Sequence, residues 1–304
     1  MGKKSKKTST TTTPTTTTTT TEGNVFDPFE KLDDSQLDVF KQFKDRLAKL
    51  EPELDEPERK WIENDRDMMI LRYLRARDYE IDAAFELLKG TIQWRKTYKP
   101  YETSAEALSY EACTGKQYVY GKSNGRSVIY MRPARENTKN HENQIRLLVY
   151  NIERAISLMD KSQGHEQICL LIDFQGYSLL NAPPMSVSKL TLEILGNHYP
   201  ERLGNAFLID PPFIFNIFWG AISPFVNKVT AKKVVFVSGE KGKQKIYNSY
   251  FTSAAEVEKS VGGESEHEYH HPHFWRKEVE MNRIERGLDP ISEEEMERVL
   301  NLKE

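Results

Sequence analysis

Only two cysteines, Cys113 and Cys169, occur in 304 residues, and they form no CxxC pair. That excludes a disulfide scaffold and a cysteine zinc ribbon, and it points to reduced thiols in a cytosolic protein. No apolar run reaches the ~20 residues that a membrane-spanning helix needs. The N-terminus has no hydrophobic core of a secretory signal. After Met1-Gly2 the sixth residue is Lys6, where myristoylation wants Ser or Thr. The net charge is only −3, so no whole-chain attraction to nucleic acid is expected.

Several spaced signatures of enzymes are missing as well. There is no GxxxxGK[ST], no GxGxxG after a strand and no CxxxxxR. Four histidines cluster in EHEYHHPHFW (His267, His270, His271, His273), but with no cysteine among them they make a weak metal site. They read instead as an edge-packing or solvated segment. Neither a metal nor a cofactor is expected, and nothing in the spacing points to catalysis.

What is present divides the chain into four parts. Residues 1–24 hold Lys3, Lys4, Lys6, Lys7 and then an almost pure threonine tract, which has little to bury and predicts disorder. From Asp34 to about Tyr98 apolar residues recur at helical spacing, as in Leu37, Phe40, Phe43 and Leu47, and Pro100 marks the end of a small helical bundle over 35–100. Over 110–268 the period changes. Strands at Gln117–Gly121 and Ser127–Arg132 flank an Asn124-Gly125 hairpin turn. A helical stripe follows through Ile145, Leu148, Val149, Ile152, Ile156 and Met159. Then come the apolar strand ICLLIDF (168–174), a helix through Val187–Leu195, and strands at Ala206–Ile209 and Lys233–Val237. Strands alternating with helices predict an α/β fold with a mostly parallel sheet. Residues 269–304 read as a charged tail, whose Ser292 and Glu295 form a capping box for one last helix.

One segment stands out. From Phe213 to Val226 there are fourteen residues without a charge. As a helix it places Asn216, Gly220 and Ser223 on one narrow stripe, with Phe213, Phe215, Phe218, Trp219 and Ile222 among the large apolar remainder. A helix apolar over most of its circumference is buried or faces lipid. Two readings stay open on composition: a central core helix, or a lid with one face on a cavity and another offered to a membrane.

LRYLRARDYEIDAA (71–84), QWRK (93–96), IDFQG (172–176), YPERLG (199–204), PF…T.KK (224–233) and VEKSVGGESE (257–266) together resemble, in order and rough spacing, the CRAL-TRIO lipid-transfer family. The likeness covers about residues 35–268 and is nearest to the yeast-type phosphatidylinositol transfer proteins. It implies a helical N-terminal subdomain beside an α/β lipid pocket closed by a mobile gate helix, here Phe213–Phe225. It also implies inositol-lipid headgroup residues at Arg77, Glu201, Thr230 and Lys233. The chemistry suits them: Arg and Lys pair with a phosphodiester, and a carboxylate accepts from inositol hydroxyls. The family's phosphatidylcholine positions fall on Tyr118, Ile152, Ile168 and Leu170, where only the tyrosine keeps a polar group.

The resemblance thus implies a non-enzymatic carrier of phosphatidylinositol, acting as a monomer in the cytoplasm with transient membrane contact. A second ligand would be apolar, a sterol for example, or another phospholipid. An alternative is a lipid-sensing scaffold that presents lipid to a lipid kinase or GTPase, with the acidic residues Glu293, Glu294, Glu295 and Glu297 as its contact surface.

Overall fold

The computed structural model describes residues 1–2, 26–178, 180 and 182–302. Residues 3–25, which hold nearly all of the expected lysine- and threonine-rich tail, lie outside the described residues.

Four helices open the chain: α1 (Asp34–Leu50), α2 (Glu56–Glu63), α3 (Arg66–Arg75) and α4 (Ile81–Tyr98). Asp33 caps α1 by accepting from the Gln36 amide at 2.8 Å, and the Gln36 side chain returns to the Asp33 amide. Phe40, Phe43 and Leu47 lie on one face of α1 and pack against Ile62, Met69, Leu74 and Leu88 in a core of their own. The last helix stops where Lys99 turns left-handed (φ 53°) ahead of Pro100.

After the short α5 (Ser109–Ala112) comes a sheet of five strands in sequential order: β1 (Gln117–Ser123), β2 (Arg126–Met131), β3 (Ile168–Asp173), β4 (Leu203–Ile209) and β5 (Val234–Val237). The first pair is an antiparallel hairpin, and the other pairs are parallel. Asn124 (φ 47°) and Gly125 (φ 80°) form the two-residue turn, both in the left-handed region that such a hairpin demands.

The crossovers carry α6 (His141–Ser157), α7 (Met185–His198), α8 (Phe213–Ile222) and α9 (Lys228–Ala231). Right-handed crossovers that always step the same way along a sheet put their helices on one face. The opposite face is covered by α10 (Gly239–Tyr250) and the turn around Val257 and Val261. Strand alternation divides the sheet between two cores. On β3, Cys169 and Leu171 join Ile246 and Tyr247, while Ile168 joins Ile145 and Ile152 of α6.

The segment read as a charged tail is not one. Helices α11 (His271–Glu285) and α12 (Glu293–Leu300) dock on α5 and α6. Trp275 is fully buried, and its indole N–H donates to the Ala105 carbonyl at 2.9 Å. Asn282 accepts from the Ala105 amide and donates to the Thr103 carbonyl. The error has a simple cause: the charged residues of these helices outnumber the few apolar ones (Trp275, Val279, Met296, Leu300) that anchor them. The Ser292–Glu295 capping box is present. No described helix is long and apolar enough to cross a membrane.

Candidate lipid-binding site

The fold leaves a chamber between the sheet and α6, α7 and α8. One part, about 370 Å³, is walled by Leu170 and Ile172 of β3, Ala206 and Leu208 of β4, Ile145 and Leu148 of α6, and Leu192 and Leu195 of α7. The α8 side chains Phe215, Phe218, Trp219 and Ile222 close it. Leu170 and Ile172 are the two β3 positions that escape full burial, because they face this space rather than packed side chains.

Helix α8 is therefore no core helix. Its only buried residue is Ile222, whereas Phe213 is 81% exposed and Ile217 is 61% exposed. Aromatic contacts tie its inner face down: Phe215 meets Phe174 at 4.5 Å between ring centroids, and Trp219 meets Phe236 of β5 edge-on at 6.0 Å. The helix ends earlier than expected. A 3₁₀ turn over Ser223–Phe225 follows, so Phe225 lies beyond α8 and is exposed, with the Lys189 ammonium 4.3 Å from its ring centre.

A second part, about 140 Å³, adjoins the first and shares Leu148, Leu170, Leu195 and Leu203 with it. Arg77, Glu201, Thr230 and Lys233, four residues scattered over more than half the chain, all line this space. Arg77 follows α3, Glu201 belongs to the turn between α7 and β4, Thr230 is on α9, and Lys233 precedes β5. The Lys233 ammonium sits 3.3 Å from the Glu201 carboxylate. Arg77 donates to the Ala76 carbonyl and has no ion pair among the described residues. Glu201 is in the left-handed region (φ 56°), so the backbone kinks between Pro200 and Arg202. Neighbouring side chains of the turn then diverge. Glu201 reaches Lys233, while the buried Arg202 reaches Asp65 at 3.3 Å.

Ile152, Ile168 and Leu170 line the same space, so hydrocarbon lies beside the four polar residues. Tyr118 does not. Its neighbour Gln117 borders the apolar chamber, and alternation along β1 turns Tyr118 to the far side of the sheet. There it is fully buried, stacks on Tyr130 and donates to the Glu258 carboxylate at 2.7 Å. Arg132 bridges Tyr118 and Glu258, and His267 adds a 2.7 Å contact to Glu258. Burial raises the Tyr118 phenol far above its usual range, and the Glu258 carboxylate adds to that. Its hydroxyl is thus committed to structure and faces away from the chamber.

The histidines of the EHEYHHPHFW run part company. His267 stacks on Tyr120, and His271 lies between Ser109 and Tyr269. No group of three or more metal-ligating side chains occurs among the described residues. The bridging residues Leu148, Leu195 and Leu203 were not singled out from sequence. Two of them sit in apolar helical stripes that read as ordinary core, and period alone does not separate a chamber wall from a packed face.

Comparison with known proteins agrees with this architecture. Residues 39–90 match the CRAL/TRIO N-terminal domain, and residues 113–263 match the CRAL/TRIO domain. A CRAL-TRIO domain-containing protein of Schizosaccharomyces pombe is 34% identical over 230 residues, which is 75% of this chain and 22% of that protein. The phosphatidylinositol transfer protein PDR17 of Saccharomyces cerevisiae is 31% identical over 222 residues, 65% of this chain and 63% of PDR17. This chain thus spans less than two thirds of either relative's length. Among solved structures, the crystal structure of Sfh5 superposes with a TM-score of 0.62 at 18% identity, covering 78% of this chain and 90% of that one, a likeness of fold. The two domain matches in order, the helical bundle and the five-stranded sheet with its apolar chamber place this chain in the CRAL/TRIO family of lipid-binding and transfer proteins.

Proposed function

We propose that this protein carries phosphatidylinositol between membranes without catalysing a covalent step. One observation carries the reading: Arg77, Glu201, Thr230 and Lys233 converge at one end of an apolar chamber closed by α8. The acyl chains lie in the chamber, where each buried methylene contributes ~0.8 kcal/mol. The phosphodiester meets Arg77 and Lys233, and the inositol hydroxyls meet Glu201 and Thr230.

The proposed cycle begins with α8 touching a membrane. Phe213 and Ile217 then exchange water for lipid, and the swing of α8 exposes Phe215, Phe218 and Trp219 to hydrocarbon instead of solvent. Opening is favoured only at the membrane, because only there does the open state gain a binding partner. The protein works as a cytoplasmic monomer with peripheral membrane contact, and a lipid kinase that receives the lipid is the partner to seek on the acidic face of α12.

Ile152, Ile168 and Leu170 offer a phosphatidylcholine headgroup no hydrogen bond, and an unpaired buried polar group costs ~1–3 kcal/mol. A second ligand is accordingly more apolar than phosphatidylcholine, of sterol type. Mass spectrometry of lipid co-purifying with the full chain tests both statements. Stoichiometric phosphatidylinositol is expected; abundant phosphatidylcholine overturns the selectivity, and no bound lipid of any kind overturns the carrier.

A further inference from the structure

A third cavity, about 100 Å³, lies on the other side of the Tyr199–Arg202 turn from the headgroup space, between α3, α4 and α6. Its walls are charged. Arg72, Arg95, Arg202 and Lys161 line it against only two carboxylates, Asp65 and Glu153. The three arginines are buried, at 3%, 4% and 8% exposure. Each carboxylate is already engaged. Asp65 holds Arg72 at 2.8 Å and Arg202 at 3.3 Å, while Glu153 holds Arg95 at 2.6 Å and accepts from the Tyr199 hydroxyl. The one further carboxylate in reach, Glu166, pairs with Arg72 but also with Arg75, whose charge cancels it. Two positive charges are left over.

Hydrogen-bonding capacity is left over too. The Arg95 Nε–H is buried without a partner, and so is Nδ1 of His198, whose ring stacks on Trp94. The groups themselves register the surplus. Burial, and then the field of Arg72, pulls the Arg202 guanidinium down to about 10. Lys161 is lowered by burial and by Arg202 and Arg72, against the opposing pull of Asp65. Buried cations persist when paired, and here carboxylates are too few: beyond them Arg202 has the Glu166 carbonyl at 2.9 Å and Lys161 only the Asn64 carbonyl at 3.3 Å.

We infer that this cavity is a binding site for a small tetrahedral oxyanion of phosphate size, held by Arg95, Lys161 and Arg202 with His198 as a neutral partner. An anion there would also brace the Tyr199–Arg202 turn from behind, against the bundle. The ligand chemistry has two sources, free phosphate or a phosphate carried on a lipid, and the polar walls favour the free ion.

The test uses the full chain in chloride buffer at constant ionic strength, with inorganic phosphate as the probe. Calorimetric titration and thermal unfolding should show saturable one-to-one binding and a rising midpoint. Lys161→Met should weaken that binding about tenfold or more, the loss of one charge-assisted contact, with an unchanged midpoint in chloride. Arg77→Ala, at a residue that lines the adjoining lipid site but not this cavity, should leave phosphate affinity intact. Vesicles containing phosphatidylinositol should leave it intact as well. A response no greater than that of chloride, full affinity in Lys161→Met, loss in Arg77→Ala, or competition by the vesicles would each overturn the assignment. Should Lys161→Met fail to fold, His198→Phe, which keeps the stack on Trp94, carries the same expectation.

Discussion

Removing the two cations of the headgroup space separates recognition from folding, because neither supports much structure. Lys233 pairs with Glu201 at 3.3 Å, and both side chains are roughly a fifth exposed. Such a pair contributes at most about 1 kcal/mol. Arg77 has only a hydrogen bond to its neighbour's carbonyl. Facing a phosphodiester, each would make a charge-assisted hydrogen bond worth ~1.5–3 kcal/mol. Arg77 gives up no carboxylate to do so and belongs near the upper figure. Lys233 must share its charge with Glu201 and belongs near the lower. Arg77→Ala with Lys233→Ala should then lower phosphatidylinositol transfer by about 10²–10³-fold, allowing for incomplete additivity between neighbours. The urea midpoint should move by no more than about 1 kcal/mol equivalent. The assay is transfer of labelled phosphatidylinositol between donor and acceptor vesicles, run beside urea unfolding. Transfer at the parent rate by a folded double variant would refute the headgroup assignment.

The outer face of α8 gives a second expectation. Phe213→Ser with Ile217→Ser removes two exposed side chains, so stability should stay within about 0.5 kcal/mol. Vesicle co-sedimentation should drop, and undiminished sedimentation would show that α8 is not the docking face. Trp275→Ala should cost ~3–5 kcal/mol by urea unfolding, because the ring is fully buried and its N–H is bonded. A negligible change would mean that the C-terminal helices are dispensable after all. His198 supplies a pH dependence. Burial, aided by Arg95, holds it at about 4, below its usual 6.5, so the unfolded chain binds a proton that the native one refuses. Its contribution is full above pH ~6.5 and is lost as the pH falls toward ~4. A His198→Phe variant should flatten the thermal midpoint over that window, and an unchanged slope would count against the assignment.

How much could be read in advance depended on which interactions were local. The Ser292 cap, the Asn124-Gly125 turn and the strand at Ile168–Asp173 were legible because each rests on a few consecutive residues. Arg77, Glu201, Thr230 and Lys233 were named from resemblance, residue by residue, and spacing alone could not have joined them. Tyr118 was misplaced because the choice of sheet face is invisible until register is known: its neighbour Gln117 borders the chamber and Tyr118 does not. The C-terminal helices were misjudged because four buried apolar side chains are a weak signal among so many charges.

Local chemistry in the chain determined most of the helices and strands, and that Phe213–Val226 must shun water somewhere. Tertiary structure alone decided that this segment shuns it on one side only, over a chamber, with the other side left exposed. It also decided that the Pro200–Arg202 turn stands between the lipid site and the cationic cavity, with Glu201 lining the first and Arg202 bordering both. The physical reason is the same in both cases. Burial, pairing and cavity shape are properties of elements brought together from distant parts of the chain, and no stretch of sequence contains its own surroundings.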